Sequence, residues 1–191
     1  MPVNTEAKGY TSWKSKWSRC RHAVAGSDDV KAQKSTYLPV PGGLSAAEPR
    51  YLNYVARAKW FPATARTIDG LEGEVFRNPP QTETPSKMEE WLEDVTLTGL
   101  TFNQYARQVI RERLATGRYG ELVDWSEDLG RPYIVGFAAE NILNWRTENI
   151  DGDQTLTMAV LLEQVEDPDN TDEFETDTID QYRVLKLVDG I

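Results

Sequence analysis

The chain of 191 residues has few of the residues that build metal sites and covalent cross-links. It contains one cysteine, Cys20, and one histidine, His22. A single cysteine excludes an intramolecular disulfide, and a neighbouring Cys and His without further such ligands fall far short of a zinc site. We therefore expect no bound metal and no other cofactor, with Cys20 as a small thiol of the core and His22 as a solvated imidazole.

The sequence also lacks long hydrophobic runs. No apolar stretch approaches the ~20 residues that cross a bilayer, and the start of the chain, residues 1–8, is too polar for a signal peptide. Hydrophobic residues make up 39% of the chain, which is ordinary for a globular protein and excludes a disordered tail. We expect a folded protein that is made in the cytoplasm and has no membrane partner.

Familiar catalytic motifs are missing as well. There is no phosphate loop ending in Lys-Ser/Thr, no Gly-x-Ser-x-Gly and no His-Glu-x-x-His. The remaining candidates for an acid and a base are paired carboxylates, such as Glu121 with Asp124 or Glu140 with Asp151. Because residues 67–191 contain 27 acids, such pairs arise by chance, and we predict no catalytic residues and no enzyme activity.

Charge is divided unevenly along the chain. Residues 1–66 hold 11 Lys and Arg against 4 Asp and Glu, a net +7, whereas residues 67–191 hold 10 against 27, a net −17. The two halves are therefore expected to face different partners or each other. An acidic surface repels the phosphates of nucleic acids, although the same carboxylates also serve simply to keep a protein soluble.

Helical periodicity dominates the first 118 residues. Tyr10, Trp13 and Trp17 fall at i, i+3 and i+7, which places them on one face of a helix. The most regular pattern begins after Thr101, which suits an N-cap, and stops at Gly117. Its apolar residues at helical spacing are expected to face the core: Phe102, Tyr105, Val109, Ile110 and Leu114.

Shorter helices are predicted between these two, from capping residues and helix breakers. They cover residues 28–35 after Ser27, a stretch to about Phe61 after a capping box of Ser45 and Glu48, residues 67–71, and a stretch from Ser86 to Gly99. Residues 73–77, in contrast, are predicted to be extended.

The apolar period changes from 3.6 to 2 after Gly117, which predicts strands. The expected elements are strands at 121–125, 133–137, 155–165 and 181–188, a helical turn at 139–143, an extended stretch at 144–149, and a hairpin turn at Asp151-Gly152. The sequence thus predicts an α+β fold. A mainly helical region over residues 1–118 is expected to pack with a mainly antiparallel, β-rich region over residues 119–191.

The segment from Glu163 to Asp180 contains nine acids and no base. It holds too few apolar groups to order itself, so a solvated loop inserted in a hairpin is predicted. The alternative is a surface that faces DNA or a basic partner. The last residues, 186–191, have the pattern of a strand that enters a turn and a new strand, which favours a β-rich region that continues beyond Ile191.

Six Trp and eight Tyr favour large contact surfaces, since aromatic side chains dominate the energetics of interfaces. Trp13 and Trp17 lie among lysines and arginines, a mixture that suits base stacking or, more commonly, helix packing. Trp145, followed by Arg146, is expected either to hold a turn in the core or to stack between subunits. We take Trp13, Trp17, Trp145 and Arg146 as candidate structural or interface residues.

Six blocks of the sequence are similar, in order and spacing, to one known family. They are residues 37–39, 73–77, 117–124, 131–135, 139–146 and 182–185. In these blocks, and along nearly its whole length, the chain resembles the portal, or head-to-tail connector, proteins of tailed bacteriophages. Portals are usually more than twice as long, so the resemblance implies the N-terminal, wing-side part of one.

The resemblance implies a structural virion protein that is made in the host cytoplasm. Full-length portals form a dodecameric ring at one capsid vertex, through which double-stranded DNA passes without sequence-specific binding. The implied partners are other copies of the chain, the major capsid or scaffolding protein, the terminase and tail-connector proteins. The alternative is a soluble phage or prophage interaction domain without portal function.

Overall fold

The computed structural model describes residues 2–171, 174 and 176–188. In this part of the chain, six α-helices precede five strands. The helices are α1 (Tyr10–Ala25), α2 (Ser27–Ala32), α3 (Pro49–Arg57), α4 (Ala63–Val75), α5 (Glu89–Leu92) and α6 (Phe102–Thr116). The strands are β1 (Tyr119–Ser126), β2 (Arg131–Ala138), β3 (Ile142–Ile150), β4 (Asp153–Glu166) and β5 (Thr178–Lys186). Short 3₁₀ turns lie at Lys34–Thr36, Ser86–Met88 and Ala139–Asn141.

The strands form two antiparallel sheets. β1 pairs with β2, and β3, β4 and β5 form a three-stranded sheet in that order. This arrangement confirms the predicted α+β class with a mainly antiparallel C-terminal sheet. None of the helices in the described residues is long and apolar enough to cross a membrane.

The chain divides into two compact units. The strand unit comprises Met1–Ser15 and Arg118–Ile191, and the helical unit comprises Lys16–Gly117. The first fifteen residues therefore belong with the strands, although they include the start of α1.

Helix α6 has the ends that its sequence predicts. The Thr101 side chain accepts a hydrogen bond from the Gln104 backbone N–H at 3.3 Å, and the Gln104 side chain accepts one from the Thr101 N–H at 3.0 Å. This pair is a complete capping box. At the other end, Gly117 takes the left-handed conformation, with φ of 75°, that stops a helix.

The apolar face of α6 is only partly buried. Tyr105 is 3% exposed, whereas Phe102, Val109 and Ile110 are half-buried. Leu114 is 39% exposed, so the prediction that it faces the core is wrong. Arg107 and Arg111 precede Leu114 by seven and three residues and so lie on the same side of α6. Their partly solvated side chains keep this side of the helix open to water.

Other helix boundaries differ from the predictions. α2 begins at Ser27 itself, so Ser27 is a helical residue and not its cap. α3 ends at Arg57 instead of continuing to Phe61, because Ala58 turns to the extended region with ψ of 141°. α5 has only four residues, which is much less than the helix predicted between Ser86 and Gly99.

Helix α4 is longer than predicted. Residues 73–77 were expected to be extended, yet α4 continues through Gly73 to Val75. A glycine inside a helix costs about 1 kcal/mol relative to alanine. Ion pairs from α6 to Asp69 and Glu72 help to offset this cost, so tertiary contacts override the local signal.

The hairpin of β3 and β4 turns at Asp151-Gly152, as predicted. The two residues have φ of 53° and 95°, the left-handed pair that a two-residue type I′ turn needs. In the β1–β2 hairpin, Gly136 leaves room for the ring of Tyr119. A Cβ at residue 136 would lie 1.8 Å from the Tyr119 hydroxyl oxygen, so no larger residue fits there without displacing that ring.

The prediction of a solvated loop from Glu163 to Asp180 is wrong at both ends. β4 extends to Glu166, β5 begins at Thr178, and the ladder pairs Glu163 with Gln181. Pairing of the backbone groups with a neighbouring strand orders these residues in spite of their charge. Residues 172, 173 and 175 of the predicted loop lie outside the described residues, as do residues 189–191 of the predicted further strand.

The core of the strand unit lies between its two sheets. Residues paired directly across strands point to the same face. On β3, β4 and β5, two such rows are Trp145–Ala159–Leu185 and Ile142–Leu161–Arg183. The opposing hairpin contributes Gly120–Phe137 and Leu122–Val135. Phe137, Ile142, Ala159 and Leu161 form the buried cluster at the centre.

Candidate interaction surface

An apolar groove of about 400 Å³ opens between the two sheets of the strand unit. Its apolar lining comes from both sheets: Leu122, Phe137, Ile142, Trp145, Leu156, Ala159, Leu161 and Leu185. Arg118 and Glu121 are the charged residues beside it. We call this feature the groove. The groove continues from the buried cluster to the surface. Leu161, in the cluster, is 6% exposed, whereas Leu156, at the edge of the groove, is 54% exposed.

Arg118 and two tryptophans form one side of the groove. The guanidinium carbon of Arg118 lies 4.1 Å from the centre of the Trp145 ring, which is a cation–π distance. The rings of Trp13 and Trp145 are 5.9 Å apart and tilted by 31°. Burial lowers the pKa of Arg118, but a guanidinium remains charged at neutral pH. This side of the groove therefore presents both an aromatic face and a fixed positive charge.

A β-bulge in β3 positions Trp145. The ladder pairs Ile142 with Leu161 and Asn144 with Val160, so Leu143 has no partner on β4. The freed Leu143 carbonyl accepts a hydrogen bond from the Ala7 N–H at 2.8 Å, and the Asn144 side chain donates to the Thr5 carbonyl at 2.9 Å. The bulge thus attaches the N-terminal segment to β3, next to Trp145.

Tyr10 fixes the same segment one turn before Trp13. It is 1% exposed, and its hydroxyl donates a hydrogen bond to the backbone carbonyl of Glu140. Burial, and then the negative charges of Glu6 and Glu140, raise the pKa of Tyr10. The buried phenol therefore stays protonated at neutral pH and holds the start of α1 on the strand unit.

A charged cluster joins the two sheets further along β1. Arg183 donates from Nη1 to Asp124 Oδ2 and from Nε to Glu163 Oε1, both at 2.7 Å. Asp124 also accepts from the Trp125 N–H at 2.9 Å and from the Tyr133 hydroxyl at 3.4 Å. The Trp125 hydrogen bond and then Arg183 lower the pKa of Asp124. We call Arg183, Asp124 and Glu163 the Arg183 cluster.

In the helical unit, ion pairs connect α6 with α4. Arg111 lies 2.7 Å from Asp69 and 3.0 Å from Glu72, and Arg107 lies 3.4 Å from Glu72. The guanidinium carbon of Arg107 is also 4.6 Å from the centre of the Phe76 ring. These contacts orient the two helices but leave both arginines partly in water, so they offer no enclosed site.

The connection between α3 and α4 displays a large aromatic side chain. Phe61 is 68% exposed, and the guanidinium carbon of Arg66 lies 5.4 Å from the centre of its ring. We call residues 57–66 the Phe61 loop. This loop contains Arg57, Lys59 and Arg66 and no acid, so it combines a solvated aromatic ring with positive charge.

The four predicted interface residues do not form one site. Trp13 and Trp145 come together in the strand unit, where both are half-buried. Trp17 belongs to the helical unit and is 8% exposed. Arg146 is exposed on β3. Trp17 is thus buried, Trp13 and Trp145 contact each other beside the groove, and Arg146 lies at the surface. The assignment of these four as structural or interface residues stays a prediction.

Cys20 and His22 do not behave as the sequence suggested. Cys20 is half-buried and not enclosed in a core. His22 is half-buried too, and its Nδ1 shares a hydrogen bond of 2.8 Å with the Tyr37 hydroxyl. His22 lies on α1, and the Tyr37 hydroxyl contacts its ring. This contact explains why the imidazole is not freely solvated. Among the described residues, no three His, Cys, Asp or Glu side chains are placed to hold a metal ion.

Sequence reasoning missed the two arginines that organise the groove and the Arg183 cluster. Arg118 and Arg183 stand in separate blocks of sequence, and neither spacing nor composition connects them with Trp145 or Asp124. One available signal was the apolar alternation of β4, which predicted a buried strand face. No protein-family model matches this chain, and a search of curated proteins finds no significant similarity.

Proposed function

We propose that this chain is the N-terminal, wing-side part of a phage portal subunit, a structural virion protein that assembles as a ring around a DNA channel. The observation that carries the proposal is the resemblance of six sequence blocks to the portal family. Four of these blocks supply β1, β2, β5 and the 3₁₀ turn with the start of β3, all in the strand unit. Three of these blocks lie within residues 117–146, and the fourth, residues 182–185, folds into the same unit as part of β5. The resemblance therefore covers one folded body.

Charge is compatible with this role. Residues 1–15 and 118–191 hold 7 Lys and Arg against 19 Asp and Glu, so the strand unit carries a net charge of −12. Affinity for duplex DNA comes mainly from Lys and Arg on phosphates. A strongly acidic body therefore binds DNA weakly, which suits a ring through which DNA must slide without sequence-specific contacts.

In this proposal the partners are other copies of the chain in a dodecameric ring, the major capsid or scaffolding protein, the terminase and tail-connector proteins. The protein acts in the virion and assembles in the host cytoplasm. It needs no cofactor, because its task is to hold surfaces together. Exposed aromatic residues and an open apolar groove, both present in this chain, are the features that such contacts use.

Two measurements test the proposal. Electron microscopy of the purified product of the whole gene should show closed rings with a central channel wide enough for duplex DNA. Quantitative mass spectrometry of purified particles should find the protein at a low, fixed copy number per virion. A product that is monomeric at all concentrations and absent from particles would contradict portal function.

A second candidate is a phage or prophage interaction domain without portal function. The observation in its favour is that the groove lies wholly within the strand unit, so a partner can bind it without a ring. Light scattering separates the two functions. A protein that stays monomeric while it binds a phage partner with one-to-one stoichiometry supports this candidate, and a multi-subunit ring excludes it.

A further inference from the structure

We propose that the groove of one copy receives Phe61 of a second copy. This inference rests on the proposed function, in which a ring brings unlike faces of neighbouring subunits together, and it names those two faces. A closed ring requires two different patches on each subunit that complement each other. The groove and the Phe61 loop are such a pair, since one is concave and apolar and the other presents a single projecting aromatic ring.

The groove is concave and apolar, and the Phe61 ring is apolar and exposed, so the two patches are complementary in kind. The groove is open to solvent, has a volume of about 400 Å³, and is floored by Phe137 and Leu161. Phe61 is 68% exposed and Leu156, at the edge of the groove, is 54% exposed. Insertion of the ring would remove both side chains from water at once. A buried aromatic anchor surrounded by residues that exclude water is the usual source of affinity in an interface.

The strand unit that carries the groove and the Phe61 loop have opposite net charges, and at the groove itself Arg118 lies beside Glu121. The strand unit carries a net charge of −12, and Glu121 beside the groove is exposed. From residue 49 to residue 68 the chain contains four bases and no acid. Two of them, Arg57 and Lys59, lie four and two residues before Phe61 and are exposed. Attraction between these surfaces would orient the loop toward the groove and make the contact sensitive to salt.

Other exposed apolar residues lack this combination. Val123 is 68% exposed and Leu129 is 60% exposed, both on the β1–β2 hairpin, and neither lines the groove. Leu114, on the helical unit, is exposed but belongs to an α6 stripe whose arginines already hold carboxylates. Val123 and Leu129 are at least as exposed as Leu156, and Leu114 is less exposed than Phe61. None of the three belongs to the groove or the Phe61 loop, so they serve as controls.

Disulfide trapping between copies tests the contact. In a Cys20→Ser background of the full chain that keeps Phe61, one preparation carries Ala63→Cys, an exposed position two residues after Phe61. A second preparation carries Leu156→Cys and a size tag. A disulfide between chains of different size forms only between copies. After mild oxidation of the mixture, a mixed dimer is expected as the main product. Pairs in which Val123→Cys replaces Leu156→Cys, or Leu114→Cys replaces Ala63→Cys, should give several-fold less of the mixed dimer.

A second arm measures affinity without cross-linking. Phe61→Ser should raise the dissociation constant of self-association at least about tenfold, the effect typical of removing an aromatic anchor. Lys59→Glu should weaken association and flatten its salt dependence, whereas Lys87→Glu, an exposed charge reversal outside the Phe61 loop, should leave both nearly unchanged. Circular dichroism checks that each variant keeps its fold.

The outcomes separate this contact from portal function. If copies associate but the Ala63–Leu156 disulfide is no more frequent than the controls, the contact is wrong and the ring proposal stands. If the disulfide forms and only open chains or dimers result, the contact stands and the ring proposal fails. If Leu156→Cys in assembled protein reacts with a small maleimide as fast as in dilute monomer, the groove is unoccupied and the contact is overturned.

Discussion

The strand unit and the helical unit bury their apolar residues in different ways. In the strand unit, rows of directly paired residues from two sheets face each other. Four buried residues of these rows form one continuous cluster. In the helical unit, burial is scattered: α3 buries Tyr51 and Val55, α4 buries Ile68 and α6 buries Tyr105. The strands thus share one core, whereas α3, α4 and α6 each contribute one or two buried residues.

The difference follows from geometry. A strand alternates its faces, so an opposing sheet covers every second residue. A helix with a wide apolar stripe needs a neighbour along its whole length, and several residues of these stripes stay exposed: Leu52, Tyr54, Leu71, Val75 and Leu114. Unused apolar surface therefore remains along the helices. The strand unit also exposes apolar side chains, such as Val123 and Leu129, so a partner can cover apolar surface on either unit.

The largest effect is expected from Phe137→Ala. Phe137 is 3% exposed at the centre of the strand core, and its truncation should cost about 3–5 kcal/mol of unfolding free energy through lost burial and a cavity. Urea unfolding measures the cost, and amide exchange should show lost protection in the strands. Val123→Ala, on the exposed face of the same hairpin, should change stability by no more than about 0.5 kcal/mol. Equal costs for the two variants would mean that the sheets do not share a core.

Ile68→Ala makes the corresponding test in the helical unit. Ile68 is 3% exposed, and we expect a loss of about 2–4 kcal/mol. Leu71→Ala, three residues on in α4, should cost about 0.5 kcal/mol or less because Leu71 is 47% exposed. The sequence places both residues in one helix, and only the structure shows that Ile68 is buried and Leu71 is exposed. The difference between the two costs therefore tests the burial pattern of the helical unit. A large cost for Leu71→Ala would show that this stripe is covered in solution.

The elements that could be predicted from sequence are those that local chemistry specifies. The capping box at Thr101, the left-handed stop at Gly117 and the Asp151-Gly152 turn each depend on a few adjacent residues. Tertiary contacts decided the elements that were mispredicted. Ion pairs lengthened α4, and pairing with β5 ordered the acidic end of β4.

The groove depends on positions that no local pattern connects. Trp13 and Trp145 were identified as aromatic anchors, but a bulge at Leu143 and an N-terminal segment bring them together. Arg118 was unremarkable in sequence because its partner ring lies 27 residues away. Periodicity predicts which face of a strand is apolar, but it does not indicate which face of another sheet will cover it.

The Arg183 cluster should give a smaller, pH-dependent effect. Arg183→Met removes the cation from two carboxylates that are partly exposed, and we expect a loss of about 1 kcal/mol at neutral pH. The folded pKa of Asp124 is lowered, so its contribution is present above the ordinary Asp pKa of about 3.9 and is lost as pH falls through the folded value.

Urea unfolding between neutral pH and about pH 3 follows this contribution. Arg183→Met should lose less stability on acidification than the natural chain, because one cause of the lowered pKa is gone. Asp128→Asn, an exposed acid in the adjacent turn, is the matched control and should leave the acid slope unchanged. An identical slope in Arg183→Met would show that the cluster does not join the sheets in solution.

The smallest effect is expected from Arg146→Ala. Arg146 follows Trp145 in the sequence, but its side chain is exposed on β3, whereas Arg118 stacks on the Trp145 ring. In dilute monomer, Arg146→Ala should change stability by no more than about 0.5 kcal/mol and leave tryptophan fluorescence unaltered. Arg118→Ala should shift that fluorescence, because it uncovers the Trp145 ring. If Arg146→Ala leaves the stability of the monomer unchanged but weakens assembly, Arg146 is an interface residue. If it lowers the unfolding free energy of the monomer by more than about 1 kcal/mol, Arg146 is a packing residue and the contrast with Arg118 is wrong.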